Sequence, residues 1–139
     1  MKQFQNPVHC VRIARDGLVY VCDRRNNRIQ VFRKDGAFVT EYTLAPDTRG
    51  NGSVWDLDFS HDLGQKLSLR GRRREQPRLA APPGRRKLLS KFARNGRYAG
   101  QLHWVHNMAV DSRGHVYTTE VDTAKRVQKF VFQGLFPVD

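Results

Sequence analysis

Five histidines, His9, His61, His103, His106 and His115, are the side chains of this 139-residue chain best suited to chemistry. Imidazole binds metals and moves protons near neutral pH. Two of the five hold equivalent places in an internal repeat. The run HCVRIARDG from His9 to Gly17 matches HNMAVDSRG from His106 to Gly114, with the same spacing from His to Gly. At the corresponding place between them stands Trp55. A catalytic zinc site takes three protein ligands and an open position, so His9 and His106 supply at most two members of such a set. His61 and His115 fall at expected hairpin turns and read as solvated. Asp56 and Asp58 alternate with Leu57, which puts both acids on one strand face, exposed or lining a channel rather than forming an acid–base pair. Tyr98, Trp104 and His103 are candidates for a ligand rim, although packing is the commoner use of such residues. With no nucleophile elbow, no P-loop and no carboxylates at useful spacing, no catalytic residue is assigned.

The elements that must position these residues are strands. Apolar residues alternate through Val11 and Ile13, then Val19 and Val21, a period of two rich in β-branched side chains. Asp16-Gly17 reads as a two-residue hairpin turn, because Gly tolerates positive φ and Asp bonds its local backbone. The breaker Asp23 to Asn27 precedes Arg28-Ile29-Gln30-Val31-Phe32, and Lys34-Asp35-Gly36 turns the chain into a fourth strand through Phe38 and Tyr42. Four short antiparallel strands in about forty residues make one propeller blade or one meander. With a two-residue turn, residue 11 sits opposite 22 and residue 10 opposite 23. Cys10 and Cys22 then point to opposite faces, so no disulfide is expected and both read as small buried hydrophobes.

YVCDRRNNRIQVFRKDG, residues 20–36, resembles the NHL repeat, a blade unit of β-propellers. The resemblance implies an all-β chain: a partial β-propeller of NHL-type four-stranded blades, about three repeats, the middle one disrupted. It assigns Asp23, Asn26 and Arg28 a structural role, a carboxylate–guanidinium pair fixing the turn between strands. Glu120 and Arg126 hold the same places in the last repeat. The repeats divide the chain into a blade at 1–44, the start of a second at 45–65, a basic segment at 66–87, and the end of the second with the third at 88–139. Gly96 to Gln101 resembles the Gly-rich link entering a new blade and lies between strands, so it is not a phosphate-binding loop. Propellers close with typically four to eight blades, so three imply a fragment of a longer protein with open edges that favour association.

Residues 66–87 carry nine basic side chains against Glu75 alone, so +8 of the net charge of +12 sits in 22 residues. The stretch LSLRGRRREQPRLAAPPGRRK has no strand period. Back-translated and read one nucleotide downstream, Leu67 to Lys87 admits SLYVADGANNRVWLLRRDGE, which restores the tyrosine, aspartate, paired asparagines, arginine and Asp-Gly of the first repeat in register. We read it as an out-of-frame translation of the second repeat, disordered and without that blade's middle strands, in preference to a genuine basic linker. The high isoelectric point is then no sign of nucleic-acid binding.

By resemblance, His9 and His106 precede the innermost strands and face the central channel. The functional expectation is a ligand- or protein-binding scaffold taking a protein or peptide at the propeller face, without an assigned catalytic site or cofactor. One alternative is a fragment similar to the peptidyl-hydroxyglycine amidating lyases, with zinc in the intact parent held in part by His9 and His106. Another is an RNA-binding NHL propeller, disfavoured because Arg12, Arg15, Arg24, Arg25, Arg94, Arg97 and Arg113 are interspersed with acids. No apolar run approaches the roughly 18 residues of a membrane span. MKQFQNPVH lacks the apolar core of a signal peptide. Met1 stands just ahead of an inner strand, where a truncated start would fall, so the compartment is left unassigned.

Overall fold

Period-two patterning folds into sheets that pair strictly in sequence order. A computed structural model describes residues 3–65, 68–71, 78–80 and 88–134. The first sheet is β1 (Val8–Ile13), β2 (Val19–Asp23), β3 (Arg28–Phe32) and β4 (Phe38–Thr43), antiparallel throughout. The second is β5 (Asp56–Phe59), β6 (Ser68–Gly71), β7 (Arg78–Ala80) and β8 (Leu88–Lys91). A short parallel pair, β9 (Arg94–Asn95) and β10 (Gln101–Leu102), leads into the third sheet of β11 (Val105–Val110), β12 (Val116–Glu120) and β13 (Arg126–Phe130). Among the described residues there is no helix, and so none long and apolar enough to cross a membrane.

The middle sheet corrects one expectation. Ser68–Gly71 and Arg78–Ala80 fall inside the stretch read as disordered, yet both are strands, and Leu69 pairs with Leu79. Ladder hydrogen bonds join backbone groups whatever the side chains are, so the edge of β5 accepts a strand that lacks the sequence pattern of one. The remainder of 66–87 lies outside the described residues.

The first hairpin is one residue longer than expected. Ala14 N–H donates to Leu18 O, Gly17 N–H donates to Ala14 O, and Gly17 takes φ 81°. This is a three-residue loop, a tight turn followed by a left-handed residue, which favours glycine. The third sheet repeats it with Asp111, His115 and Gly114 at φ 83°. The extra residue shifts the register by one, so Cys10 lies directly opposite Cys22. Their Cα atoms are 4.8 Å apart and a disulfide joins them. The expectation of opposite faces and no disulfide fails on this single turn residue, since a one-residue slip turns a side chain to the other face.

The innermost strands of the first and third sheets, β1 and β11, also carry a bulge. Val8 faces Asp23 and Cys10 faces Cys22, leaving His9 without a partner across the ladder. Val105 faces Glu120 and Asn107 faces Thr119, leaving His106 likewise. A bulged residue is released from the alternation of its strand and re-aimed.

The sheets stack face to face. Leu57 and Phe59 of β5 are buried with Tyr20, Cys22, Ile29 and Val31 of the first sheet, and the Tyr20 and Phe59 rings meet edge-on at 5.0 Å. Met108 and Val110 of β11 form the next cluster with Leu102 and Val105, backed by Phe92 and Phe130. Burying such side chains, roughly 1.5–3 kcal/mol each, is what holds one sheet on the next.

Candidate functional site

The two bulged histidines meet each other and Trp55, the residue before β5. The His9 and His106 rings lie 4.8 Å apart between centroids, His9 is 5.2 Å from Trp55, and Trp55 is 5.6 Å from His106. Thus the two histidines at equivalent repeat positions meet, and Trp55 at the third equivalent position completes the cluster. Trp55 is buried while both imidazoles are half-buried. The guanidinium of Arg24 lies 4.4 Å from the Trp55 ring centroid, a cation–π contact.

Hydrogen bonds orient both imidazoles. The Nδ1 of His9 meets the carbonyl oxygen of Trp55, and the Nδ1 of His106 is 2.9 Å from Oδ1 of Asn107. A carbonyl oxygen only accepts, so each Nδ1–H donates and Nε2 is the ring nitrogen left to the other side. Burial lowers the pKa of His9, Arg24 and His106 lower it further, and the Trp55 carbonyl and Asp56 oppose them. Among the described residues no group of three or more His, Cys, Asp or Glu is placed to hold a metal ion. His9 and His106 alone do not make the three-ligand set of a catalytic zinc.

Asp56 and Asp58 share one strand face, as their alternation implies, but Asp56 is not exposed and Asp58 is half-buried. Asp56 is fully buried; its Oδ2 accepts the Met108 N–H at 2.8 Å, and both its oxygens accept from Arg12 at 3.0 and 3.1 Å. Asp58 accepts the Val110 N–H at 2.7 Å. The two acids occupy backbone donors on the open edge of β11, which would otherwise go unpaired. Burial pushes the Asp56 carboxyl up, against the hydrogen bonds from Met108 and Leu57 and the charge of Arg12. Nothing in the sequence of β5 shows that β11 will lie alongside it.

The motif residues tie loops down. Asp23, fully buried, accepts from Arg28 Nε at 2.7 Å and from Asn26 at 2.8 Å, while Arg28 also donates to Glu41 at 2.9 Å. Glu120 pairs with Arg126 Nε at 3.1 Å, and Arg126 donates to the carbonyls of Gln101 at 2.7 Å and Tyr98 at 3.2 Å, closing the Gly-rich link. Tyr98 is largely exposed, while His103 stacks on Trp104 and bonds Asp122 at 3.1 Å. His61 is exposed, and His115 accepts the Phe132 N–H through Nδ1 at 3.0 Å. The sequence reading missed Arg24, counted there only as a surface base. The signal was Gly52, where an added Cβ would stand 1.8 Å from the Arg24 carbonyl oxygen, so the loop before Trp55 lies on the turn that carries Arg24.

Residues 6–32 match the model of the NHL repeat. No curated protein sequence matches the chain. Among solved structures the chain is similar to a catalytically inactive virginiamycin B lyase from Staphylococcus aureus with quinupristin, at 14% identity and a TM-score of 0.62 over 96% of this chain and 44% of that one. It is similar to a selenomethionine-substituted virginiamycin B lyase from the same organism at 15% identity and a TM-score of 0.58, over 91% of this chain and 41% of that one. A streptogramin B lyase matches at 14% identity and a TM-score of 0.59, covering 95% of this chain and 44% of that one. The chain therefore spans less than half the length of these structures, and at such identity the likeness is one of fold. Residues 6–32 match an NHL repeat, and the stacked antiparallel sheets give this chain the fold of part of a β-propeller.

Proposed function

We propose that the chain is a recognition scaffold whose ligand, a protein segment or peptide, docks where His9, Trp55 and His106 converge. One observation carries this reading: three residues at the same repeat position form one ring cluster in which both imidazoles are held through Nδ1 and are half-buried. Structural packing alone needs no imidazoles on bulges, whereas bulges recur where a side chain is aimed at a site. Loops and strand ends on a rigid scaffold are where propellers bind. The test is a screen of a short-peptide library by Trp55 fluorescence and His9 and His106 NMR shifts. Binding that is lost in both His9→Ala and His106→Ala, with the fold intact, supports the reading; binding that neither change affects removes it.

A second reading, a metal site of the amidating-lyase type, is favoured by the shared tautomer, since metal-binding histidines donate their other ring N–H to an oxygen. A third ligand would have to come from residues beyond those described. Zinc titration with the two histidine shifts as readout tests it: selective broadening or shift of both supports it, and no response at stoichiometric zinc ends it. RNA binding gains nothing here, because Arg12 is engaged by Asp56 and Arg24 lies on Trp55.

A further inference from the structure

His9 and His106 occupy the same bulge in two repeats, yet different devices hold them. Ahead of each bulge the arrangement is alike. The acid across the ladder, Asp23 or Glu120, accepts a backbone N–H from the incoming chain, Gln5 at 3.2 Å and His103 at 2.6 Å. After the bulge the repeats diverge. Asn107 bonds the Nδ1 of His106 at 2.9 Å and also hydrogen-bonds Asp56 through its side chain, so the third sheet orients its imidazole locally. The equivalent residue of the first sheet is Cys10, which offers no such acceptor, and His9 reaches instead to the carbonyl of Trp55. Across the ladder from Cys10 and Asn107 stand Cys22 and Thr119. Cys22 is joined to Cys10 by a disulfide, whereas the second pair has no covalent link.

We infer that the Cys10–Cys22 bridge is a redox-sensitive latch that aims His9 at Trp55, standing where Asn107 stands beside His106. The inference rests on the ring cluster being the docking site proposed above, although its effect on His9 is read without a ligand. The bridge ties the end of the bulge to β2, which limits the directions that the unpaired His9 can take. A dithiol reductant opens it. Cys10 is 9% exposed and Cys22 0%, so the reductant's thiolate attacks the Cys10 sulfur and Cys22 leaves as a thiolate that takes a proton. The reductant's second thiol then closes its own disulfide and frees Cys10, leaving two cysteine thiols and one oxidised dithiol. The strands stay paired, because β11 and β12 keep the same bulge without a bridge. The groups around His9 are Arg24 on the turn after β2, His106 on β11, and Asp56 on β5, itself paired with Arg12. Reduction alters none of them, so a change at His9 reports the latch.

The experiment is NMR of the histidine rings of the full chain, titrated before and after dithiothreitol. Cys10→Ala/Cys22→Ala serves as a permanently open form, and circular dichroism checks the fold. In the oxidised chain His9 should be an Nδ1–H tautomer titrating below the ordinary value of about 6.5. Reduction and the double variant should each turn it into a mixture of tautomers titrating closer to that value, while His106 keeps its Nδ1–H tautomer. Reoxidation should restore the first state. A His9 unchanged in both open forms overturns the inference and makes the bridge a brace for the strands alone. Loss of the tautomer at both histidines, or unfolding on reduction, also overturns it, by showing a general loosening. So does a bridge that the dithiol cannot open in the folded chain. Each of these outcomes leaves the docking reading standing, which fails separately if no peptide binds the oxidised chain.

Discussion

His9 and His106 sit on equivalent bulges of strands belonging to different sheets, and their rings come within 4.8 Å of each other. Each is held by a hydrogen bond at Nδ1. Proximity of two basic rings and a guanidinium has a consequence for protonation.

His9 should titrate below the ordinary histidine value of about 6.5, chiefly because burial disfavours its charged form, with Arg24 and His106 adding to the effect. A folded pKa below the unfolded one means that the unfolded chain takes up the proton first as pH falls. The contribution of His9 to stability is therefore complete above about pH 6.5 and is lost as pH drops from there through the folded pKa. NMR titration should place His9 low, and Arg24→Ala should raise it; a His9 that titrates at or above the ordinary value contradicts this.

Breaking the buried pair of the motif should be costly. Asp23→Ala leaves the buried Arg28 guanidinium without its closest carboxylate, and removing one partner of a buried pair costs roughly 3–5 kcal/mol. Glu120→Ala should cost less, because Arg126 is partly exposed and keeps its bonds to the Gln101 and Tyr98 carbonyls. Denaturant midpoints of the two variants decide it, and equal losses would count against the distinction.

Equivalent strand positions should respond unequally to the same kind of truncation. Leu57→Ala opens a cavity between two sheets and should destabilise by about 2–5 kcal/mol. Val11→Ala, on the uncovered face, should stay within about 0.5 kcal/mol in dilute solution. A large loss at Val11 would mean that its face is already covered within the chain.

Peptide mapping under non-reducing conditions should find Cys10 joined to Cys22. The bridge closes a short loop, with a sequence separation of 12. Reduction should lower stability by about 2–3 kcal/mol, and Cys10→Ala should do the same with no further loss on adding reductant. Two freely reactive thiols in the folded protein would show that the bridge does not form.

Local pattern was enough for the strands and for the pairing of Asp23 with Arg28, because alternation and short-range spacing are properties of contiguous residues. The repeat made His9, Trp55 and His106 legible as equivalents before any coordinate. Register was not legible: one extra turn residue at the Asp16-Gly17 hairpin put Cys10 against Cys22, and turn length depends on backbone conformations that several loops with Asp-Gly share. The strands within the basic run were missed because pairing is made by backbone groups, and a neighbouring strand can impose it without a matching side-chain pattern. The roles of Asp56 and Arg24 emerged only in three dimensions. Asp56 bonds Met108 and Arg24 lies on Trp55 because sheets distant in sequence stack face to face. The chain alone thus determined what each blade is made of. Only the packing of one sheet on another decided which polar groups meet, since those contacts join residues that no local spacing relates.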